Sequence, residues 1–258
     1  MAGGVKARAA ELLIGLLASR GYRLTRPRFH EEEDLDVRAL LAEPIERAQG
    51  RFVILQIGAN DGLANDPIHD AVVSRGWELH AVEPMPDVFA KLQATYTGNP
   101  RVHCIPCAVG RADGRADIFF IRQDRTDGER PGEIRFDQYT SFSREVVEQH
   151  WRAIPDLKGR IETTTVPVLT LATLIERYGV PPIDMLQIDT EGFDWEIIKM
   201  AFSGGLVPPI LAFEWVNMTQ AEMWECRCAL IEMGYRWIIN KGDVIASRTE
   251  IPCPLVAH

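Results

Sequence analysis

Two short segments of the chain combine residue types that suit the binding of a nucleoside. The apolar run FVILQI passes directly into GANDG at residues 58–62, and small residues at such a turn let the backbone approach a ligand closely. About twenty residues further on, the segment ELHAVEP places Glu83 at the end of a second strand. A carboxylate there can accept hydrogen bonds from both hydroxyls of a ribose. Together the two segments favour a nucleoside-containing ligand over an ordinary glycine-rich turn.

The composition of the turn argues against a pyrophosphate ligand. GANDG is not GxGxxG, and it lacks the Lys and the Ser or Thr of a phosphate-binding loop. Asn60 and Asp61 instead place a polar and an acidic side chain at the turn. This combination suits a cofactor that carries an amino-acid end and a positive sulfonium.

Acidic residues also follow two later apolar segments. IDMLQIDTEGFDWEIIKM leads to Asp189 and Glu191, and PPILAFEWVN leads to Glu214 and then Asn217. Since ligands of open α/β sheets bind outside the carboxyl ends of the strands, we expect the acids to meet at the rim that carries GANDG. Asp189, Glu191 and Glu214 are candidates for a general base that takes a proton from a substrate. Alternatively, Asp189, Glu214 and Asn217 hold Mg²⁺, or Glu191 and Asp194 only favour a helix N-terminus.

An alternation of apolar runs and amphipathic segments from about residue 51 onward would position these residues. The pattern predicts an α/β domain over residues 51–258 with a mostly parallel sheet and crossover helices. Strands are predicted at residues 52–57, 79–82, 102–105, 183–188, 210–213, 236–239 and 244–246. A helix should start at Thr219, where Thr219 and Glu222 can form a capping box, and should end at Gly234.

Two regions depart from this alternation. Residues 1–50 are predicted to form an N-terminal helical extension, whose apolar run at residues 12–18 is too short to span a membrane. Between about residues 110 and 168 a long polar stretch interrupts the pattern. We interpret it as an insertion that either covers the substrate or is disordered.

The overall composition narrows the class of protein further. A formal net charge of -9, from 28 Lys and Arg against 37 Asp and Glu, argues against binding to nucleic acid. The five cysteines have no regular spacing, which predicts a cytoplasmic location. Cys104 and Cys107 have the spacing of a zinc or redox pair, but we interpret them as small buried apolar residues.

Taken together, the segments VILQIGANDG, AVEP, CAVG, VPVLTL, IDMLQIDTEGFDWEII and ILAFEW resemble the FkbM-type methyltransferase family over about residues 51–240. The resemblance implies the class I methyltransferase fold with its Rossmann-like sheet, and S-adenosylmethionine as the methyl donor. It also implies O-methylation of a sugar or natural product, and therefore a small-molecule or glycan acceptor.

The resemblance assigns cofactor contacts residue by residue. It makes Glu83 the ribose ligand and places Asp189 near the methionine end of the cofactor or near the acceptor. The cofactor loop and the turn beside adenine are then formed by Gly58, Ala59, Asn60, Asp61, Gly62, Cys107 and Ala108.

The chain departs from the family pattern at two places. Gln56 stands where many methyltransferases carry an acid, and residues 140–142 read Thr-Ser-Phe in place of a Ser-Ser-Leu-like run. The role of Ser141 stays open, and His150 is a further candidate base. Two other functions stay open as well: a nucleotide-dependent oxidoreductase, for which GANDG lacks the third glycine, and a domain that binds S-adenosylmethionine without turnover.

Overall fold

The computed structural model describes residues 52–64, 66–122, 139–149, 157–240 and 242–248. The predicted N-terminal helical extension at residues 1–50 lies outside this part of the chain, as does His150. Within the described ranges, no helix has the length and apolar character that crossing a membrane requires.

The strands and helices alternate along most of the described chain. The strands are β1 (Val53–Ile57), β2 (Glu78–Val82), β3 (Val102–Ile105), β4 (Ala108–Val109), β5 (Gly114–Ile121), β6 (Thr140–Ser141), β7 (Ile161–Leu169), β8 (Met185–Ile188), β9 (Ile210–Glu214), β10 (Arg236–Asn240) and β11 (Asp243–Ser247). The helices are α1 (His69–Arg75), α2 (Pro86–Thr95), α3 (Arg144–Glu148), α4 (Leu157–Arg160), α5 (Leu171–Tyr178), α6 (Asp194–Ser203) and α7 (Gln220–Glu232).

Seven of the strands form one sheet in the order β10-β11-β9-β8-β1-β2-β3. Strand β11 is antiparallel to both of its neighbours, and the pairs from β9 to β3 are parallel. These are the strands that the sequence predicted, so the mostly parallel α/β sheet is confirmed. The carboxyl ends of β1, β2, β8 and β9 consequently lie at one edge of the sheet.

Apolar residues cover both faces of this sheet. Along β1, Leu55 and Ile57 belong to one buried cluster, whereas Ile54 belongs to another, because successive side chains of a strand point to opposite faces. Helices α5 and α6 supply apolar residues to the first cluster, and α1 and α2 supply them to the second. Burial on both faces explains why the strands read as continuous apolar runs.

A second sheet of four strands, in the order β4-β7-β5-β6, occupies much of the region that we interpreted from the sequence as an insertion. Strands β5 and β7 pair antiparallel from Gly114 opposite Val168 to Ile121 opposite Ile161. The described parts of this region are therefore folded as a sheet and are not disordered, whereas a role of the region in covering a substrate stays a prediction. The run of β-branched residues at 163–166 was a strand signal, which Pro167 obscured.

The predicted capping box is confirmed at the start of α7. The Thr219 hydroxyl accepts the Glu222 N–H at 3.3 Å, and the Glu222 carboxylate accepts the Thr219 N–H at 2.8 Å. Helix α1, in contrast, begins only at His69, so a loop separates GANDG from the first helix. Two side chains stabilise the conformation of this loop by hydrogen bonds to its backbone. Asp61 Oδ1 accepts the Ala64 N–H at 2.9 Å, and Asp66 Oδ1 accepts the Ile68 N–H at 2.9 Å.

Candidate active site

A cleft of about 1100 Å³, the open space at its mouth included, lies at the carboxyl edge of the seven-stranded sheet. The ends of β1, β2, β8 and β9 form its floor, and residues 139–142, in and beside strand β6 of the second sheet, line another side. This is the position at which open α/β sheets bind their ligands. The predicted residues that line it are Gly58, Ala59, Asn60, Glu83, Cys107, Ala108, Asp189, Glu191 and Glu214.

The backbone of the GANDG loop is fixed by the neighbouring strands. The N–H groups of Gly58 and Ala59 both donate to the carbonyl oxygen of Val82 at 3.0 Å. Gly58 has φ +85°, and a Cβ at this position would overlap the carbonyl oxygen of Asp189. Glycine is therefore required here by the adjacent strand end, and not only by the approach of a ligand.

The remaining predicted loop residues, Asp61 and Gly62, lie outside the lining of the cleft. Asp61 is buried, and its Oδ1 accepts backbone N–H groups of the loop that follows. Gly62 has φ +67° and packs so tightly against Leu92 and Tyr96 that a side chain would collide with them. Both residues thus support the shape of the loop from behind.

Glu83 connects the loop to the end of β2. Its side chain is buried, with Oε2 accepting the Asn60 N–H at 3.0 Å and Oε1 accepting the Met85 N–H at 2.9 Å. Each carboxylate oxygen can accept more than one hydrogen bond. Glu83 can therefore hold the loop and still accept hydrogen bonds from a ligand in the cleft.

Cys107 and Ala108 form a short apolar part of the lining next to Glu83. Ala108 belongs to β4, and burial raises the pKa of the Cys107 thiol to about 12. The thiol is therefore protonated at neutral pH and packs as an apolar group. This environment agrees with the interpretation of Cys107 as a small buried residue.

The three acids at the ends of β8 and β9 converge, as the sequence predicted. Each of Asp189, Glu191 and Glu214 has a carboxylate oxygen within 4.8 Å of the others. Glu191 has φ +49°, in the left-handed region that residues other than glycine seldom adopt. The Asn217 amide Nδ2 donates to Glu191 Oε2 at 3.0 Å and to Glu214 Oε2 at 3.1 Å.

This position of Asn217 changes one expectation. As a cation ligand, Asn217 would have to offer its amide oxygen, but its amide nitrogen faces the two carboxylates. Asn217 instead holds Glu191 and Glu214 together. The oxygen atoms that come together are those of Asp189, Glu191 and Glu214.

Depth in the protein and mutual repulsion raise the pKa of all three carboxyl groups. Desolvation comes first in each case and the charges of neighbouring acids add to it, so that the pKa reaches about 8 for Asp189, about 7 for Glu191 and about 8 for Glu214. The Asp189 side chain is exposed, but it faces the cleft, where protein surrounds it on the other sides. The cluster therefore holds protons near neutral pH, and a bound cation would favour their release.

A fourth acid, Asp194, organises this cluster without facing the cleft. It is buried at the start of α6, where Oδ2 accepts the Thr190 hydroxyl at 2.8 Å and Oδ1 accepts the Glu214 N–H at 3.2 Å. Its carboxylate thereby joins the chain after β8 to the end of β9. A helix N-terminus alone does not explain this position, because both oxygens have specific partners.

The second sheet brings polar and aromatic residues to the opposite wall. The Ser141 hydroxyl donates to the carbonyl oxygen of Glu191 at 2.7 Å, so it fixes the left-handed turn that carries one of the acids. Phe142 packs edge-on against Phe193 with ring centroids 5.2 Å apart. Tyr139 and Thr140 complete this wall, which local sequence patterns did not reveal.

Three further residues of the lining, Gln56, Gln187 and Asp66, were not assigned from the sequence. Gln56 on β1 and Gln187 on β8 are paired across the two strands. Each interrupts an otherwise apolar strand, VILQI in one case and MLQI in the other. A polar residue inside a buried strand was the sequence signal that could have identified the two glutamines.

Comparisons with known proteins identify the family. The chain matches the model of the methyltransferase FkbM domain over residues 56–215, and it belongs to this family. The fold is accordingly the class I methyltransferase fold, as the resemblance implied. No curated protein matches the chain.

Several solved structures are similar to the chain at low sequence identity. The methyltransferase FkbM from Methylobacillus flagellatus is 12% identical, with a TM-score of 0.48 and coverage of 77% of this chain and 44% of that one. An O-methyltransferase from Bacillus cereus, solved in complex with SAH, is 11% identical, with a TM-score of 0.39 and coverage of 92% and 89%. A precorrin-6y C5,15-methyltransferase from Geobacter metallireducens is 13% identical, with a TM-score of 0.40 and coverage of 86% and 90%. The chain spans less than half the length of the Methylobacillus flagellatus protein.

Proposed function

We propose that this chain is an S-adenosylmethionine-dependent methyltransferase that methylates an oxygen of a small-molecule or glycan acceptor. The observation that carries the proposal is the convergence of Asp189, Glu191 and Glu214 in the same cleft as the GANDG loop and Glu83. The family match supports methyl transfer over the nucleotide-dependent oxidation that the sequence left open.

The chemistry of the cleft suits this cofactor, which supplies the methyl group when bound. Glu83 offers carboxylate oxygens to ribose hydroxyls, and the apolar surface at Cys107 and Ala108 suits the adenine ring. Asp189, whose carbonyl group adjoins Gly58, would stabilise a sulfonium bound near it through the negative charge of its side chain. Methyl transfer from a sulfonium to an oxygen is a direct displacement. Alignment of the acceptor oxygen, the methyl group and the sulfur therefore supplies much of the catalysis.

The acids of the cluster account for the proton that the acceptor must lose. A hydroxyl is a weak nucleophile at neutral pH, and a carboxylate whose pKa lies near 7 or 8 is matched to the role of general base. Asn217 holds Glu191 and Glu214 side by side, so either can take the proton from an acceptor in the cleft. Alternatively, a divalent cation such as Mg²⁺, bound by oxygens of the same cluster, would lower the pKa of the acceptor.

The charge and composition of the chain narrow the class of methyl acceptor and the location of the protein. The net charge of -9 disfavours nucleic acid as the acceptor, and the cysteine content supports a cytoplasmic location.

Ligand binding and then turnover test the function. Thermal melting of the full chain should show stabilisation by S-adenosylmethionine and S-adenosylhomocysteine but not by NAD. The protein is then incubated with S-adenosylmethionine labelled in the methyl group and with small-molecule and glycan fractions of a cell extract. Label recovered in a methyl ether supports the proposal. Stabilisation by NAD alone, or label recovered only on nitrogen or carbon, would contradict it, and binding without any label transfer would indicate a non-catalytic domain.

A further inference from the structure

Three acceptor atoms without hydrogen-bond partners line the inner part of the cleft. They are Oε1 of Gln56, Oε1 of Gln187 and Oδ2 of Asp66. The two glutamine side chains are more than nine-tenths buried, at 3% and 8% exposure. Buried polar atoms in proteins almost always have a partner, so three unpartnered oxygens in one cleft indicate a missing donor.

The fold places these groups on the same side of the sheet. Gln56 and Gln187 are register partners on adjacent parallel strands, so their side chains share a face. They belong to the face that carries Ile54 and Met185. Asp66 reaches this face from the loop before α1, close enough to Gln56 for the glutamine side chain to oppose the rise in the Asp66 pKa.

The loop before α1 holds the Asp66 side chain in place. Its Oδ1 accepts the Ile68 N–H at 2.9 Å, and Pro67 restricts the backbone that follows. Burial raises the pKa of the Asp66 carboxyl group. A positive donor at Oδ2 would reverse this effect by favouring the charged form.

The missing partner is defined by the chemistry of the three oxygens. Amide and carboxylate oxygens accept hydrogen bonds, and among the described residues that line the cleft none is Lys, Arg or His. A primary ammonium provides three N–H donors and one positive charge, which matches two amide oxygens and one carboxylate. The only primary ammonium of S-adenosylmethionine is at its amino-acid end.

We infer that Gln56, Gln187 and Asp66 form a subsite that binds the ammonium group of the cofactor, with Asp66 supplying the negative charge. The inference rests on the proposed function. Gln56 by itself has no charge to offer, and the carboxylate of Asp66, which comes from a different segment of the chain, provides it.

Ligands that differ only at the amino-acid end test this subsite by calorimetry on the full chain. S-adenosylhomocysteine carries the ammonium, whereas methylthioadenosine has the same nucleoside and sulfur without it. Asp66→Asn should weaken the binding of S-adenosylhomocysteine about 10- to 100-fold, the effect of losing a charge-assisted hydrogen bond, and leave methylthioadenosine within about twofold. The matched control is Asp87→Asn, which removes the same charge from an exposed residue outside the cleft lining.

Two more variants separate a direct contact from a structural effect. Gln56→Glu combined with Asp66→Asn returns one negative charge to the subsite and should recover at least half of the lost affinity on a logarithmic scale. Gln187→Leu removes one hydrogen-bond acceptor with little change in volume, so this variant should fold. It should also weaken the binding of S-adenosylhomocysteine and leave the binding of methylthioadenosine unchanged. This second variant keeps the test available if Asp66→Asn does not fold.

The outcomes distinguish the subsite from the proposed function. If the wild-type protein binds neither ligand, the proposed function itself fails. If Asp66→Asn and Gln187→Leu bind both ligands as the wild-type protein does, the subsite is overturned and a buried water satisfies the three oxygens. If the variants lose both ligands equally while remaining folded, Asp66 shapes the loop and does not bind the ammonium group.

Discussion

The carboxylate of Asp194 accepts the backbone N–H of Glu214 at 3.2 Å, although the two residues belong to different strand-to-helix units. Asp194 stands at the start of α6, and Glu214 ends β9. The position of one candidate base therefore depends on a buried acid that does not line the cleft.

Replacing Asp194 with Ala should lower both stability and activity. The change leaves the Glu214 N–H and the Thr190 hydroxyl without their partner, so we expect a loss of about 2–4 kcal/mol in the free energy of unfolding. Urea denaturation measures this loss in the free energy of unfolding. Glu196→Gln is the matched control, because Glu196 is also acidic in the first turn of α6 but forms an ion pair with the exposed Arg111. If both variants lose the same small amount, Asp194 acts only through the helix N-terminus.

Glu83→Gln should weaken S-adenosylmethionine binding by about one to two orders of magnitude. The neutral amide has one acceptor oxygen in place of two, and its NH₂ group would face the N–H of either Asn60 or Met85. Calorimetry on the folded variant provides the measurement. Affinity equal to that of the wild-type protein would remove Glu83 from the cofactor site.

Charge removal in the acid cluster should reduce turnover with little change in structure. We expect Asp189→Asn and Glu214→Gln each to lower kcat at least about tenfold, while the melting temperature stays the same or rises because a repulsive charge is lost. Dependence on a divalent cation would appear as activity lost in EDTA and restored by Mg²⁺. Wild-type kcat and kcat/KM in both variants would show that the cluster is structural.

The stability of the ligand-free protein should fall as the pH rises from about 5.5 to 8.5. The carboxyl groups of Asp189, Glu191 and Glu214 have a pKa near 7 or 8 in the folded protein but ordinary values near 4 when unfolded. In this window the folded state binds more protons than the unfolded state, so the free energy of unfolding decreases with pH. Melting temperatures across the range measure the slope. Glu214→Gln should flatten it, and an unchanged slope in that variant would contradict the raised pKa.

Gly58→Ala should destabilise the protein even without a ligand. A Cβ at residue 58 would overlap the carbonyl oxygen of Asp189, in addition to the strain of φ +85°. Gly98 is a matched control, since it has φ +81° and a Cβ added there would have no atom within 4 Å. We expect about 1–2 kcal/mol for Gly98→Ala and a clearly larger loss for Gly58→Ala. Equal losses would mean that the overlap is relieved without cost.

Local sequence was sufficient for the seven-stranded sheet and for the acids at its rim. Strands buried on both faces are short continuous apolar runs, and their ends are marked by the first polar or glycine residues. Asp189 and Glu214 could therefore be placed at one edge from the parallel pattern alone. Their convergence in the described structure agrees with that prediction.

Other features depended on contacts between distant segments and became visible only in the tertiary structure. The pairing of β5 with β7 joins residues on either side of the long polar stretch, and neither strand is apolar throughout. The side-by-side position of Gln56 and Gln187 follows from strand register, and the position of Asp194 follows from a partner outside its own element. A residue type and its neighbours in sequence determine whether a segment can be buried, whereas the partner that satisfies a buried polar group is set by how the strands and loops pack.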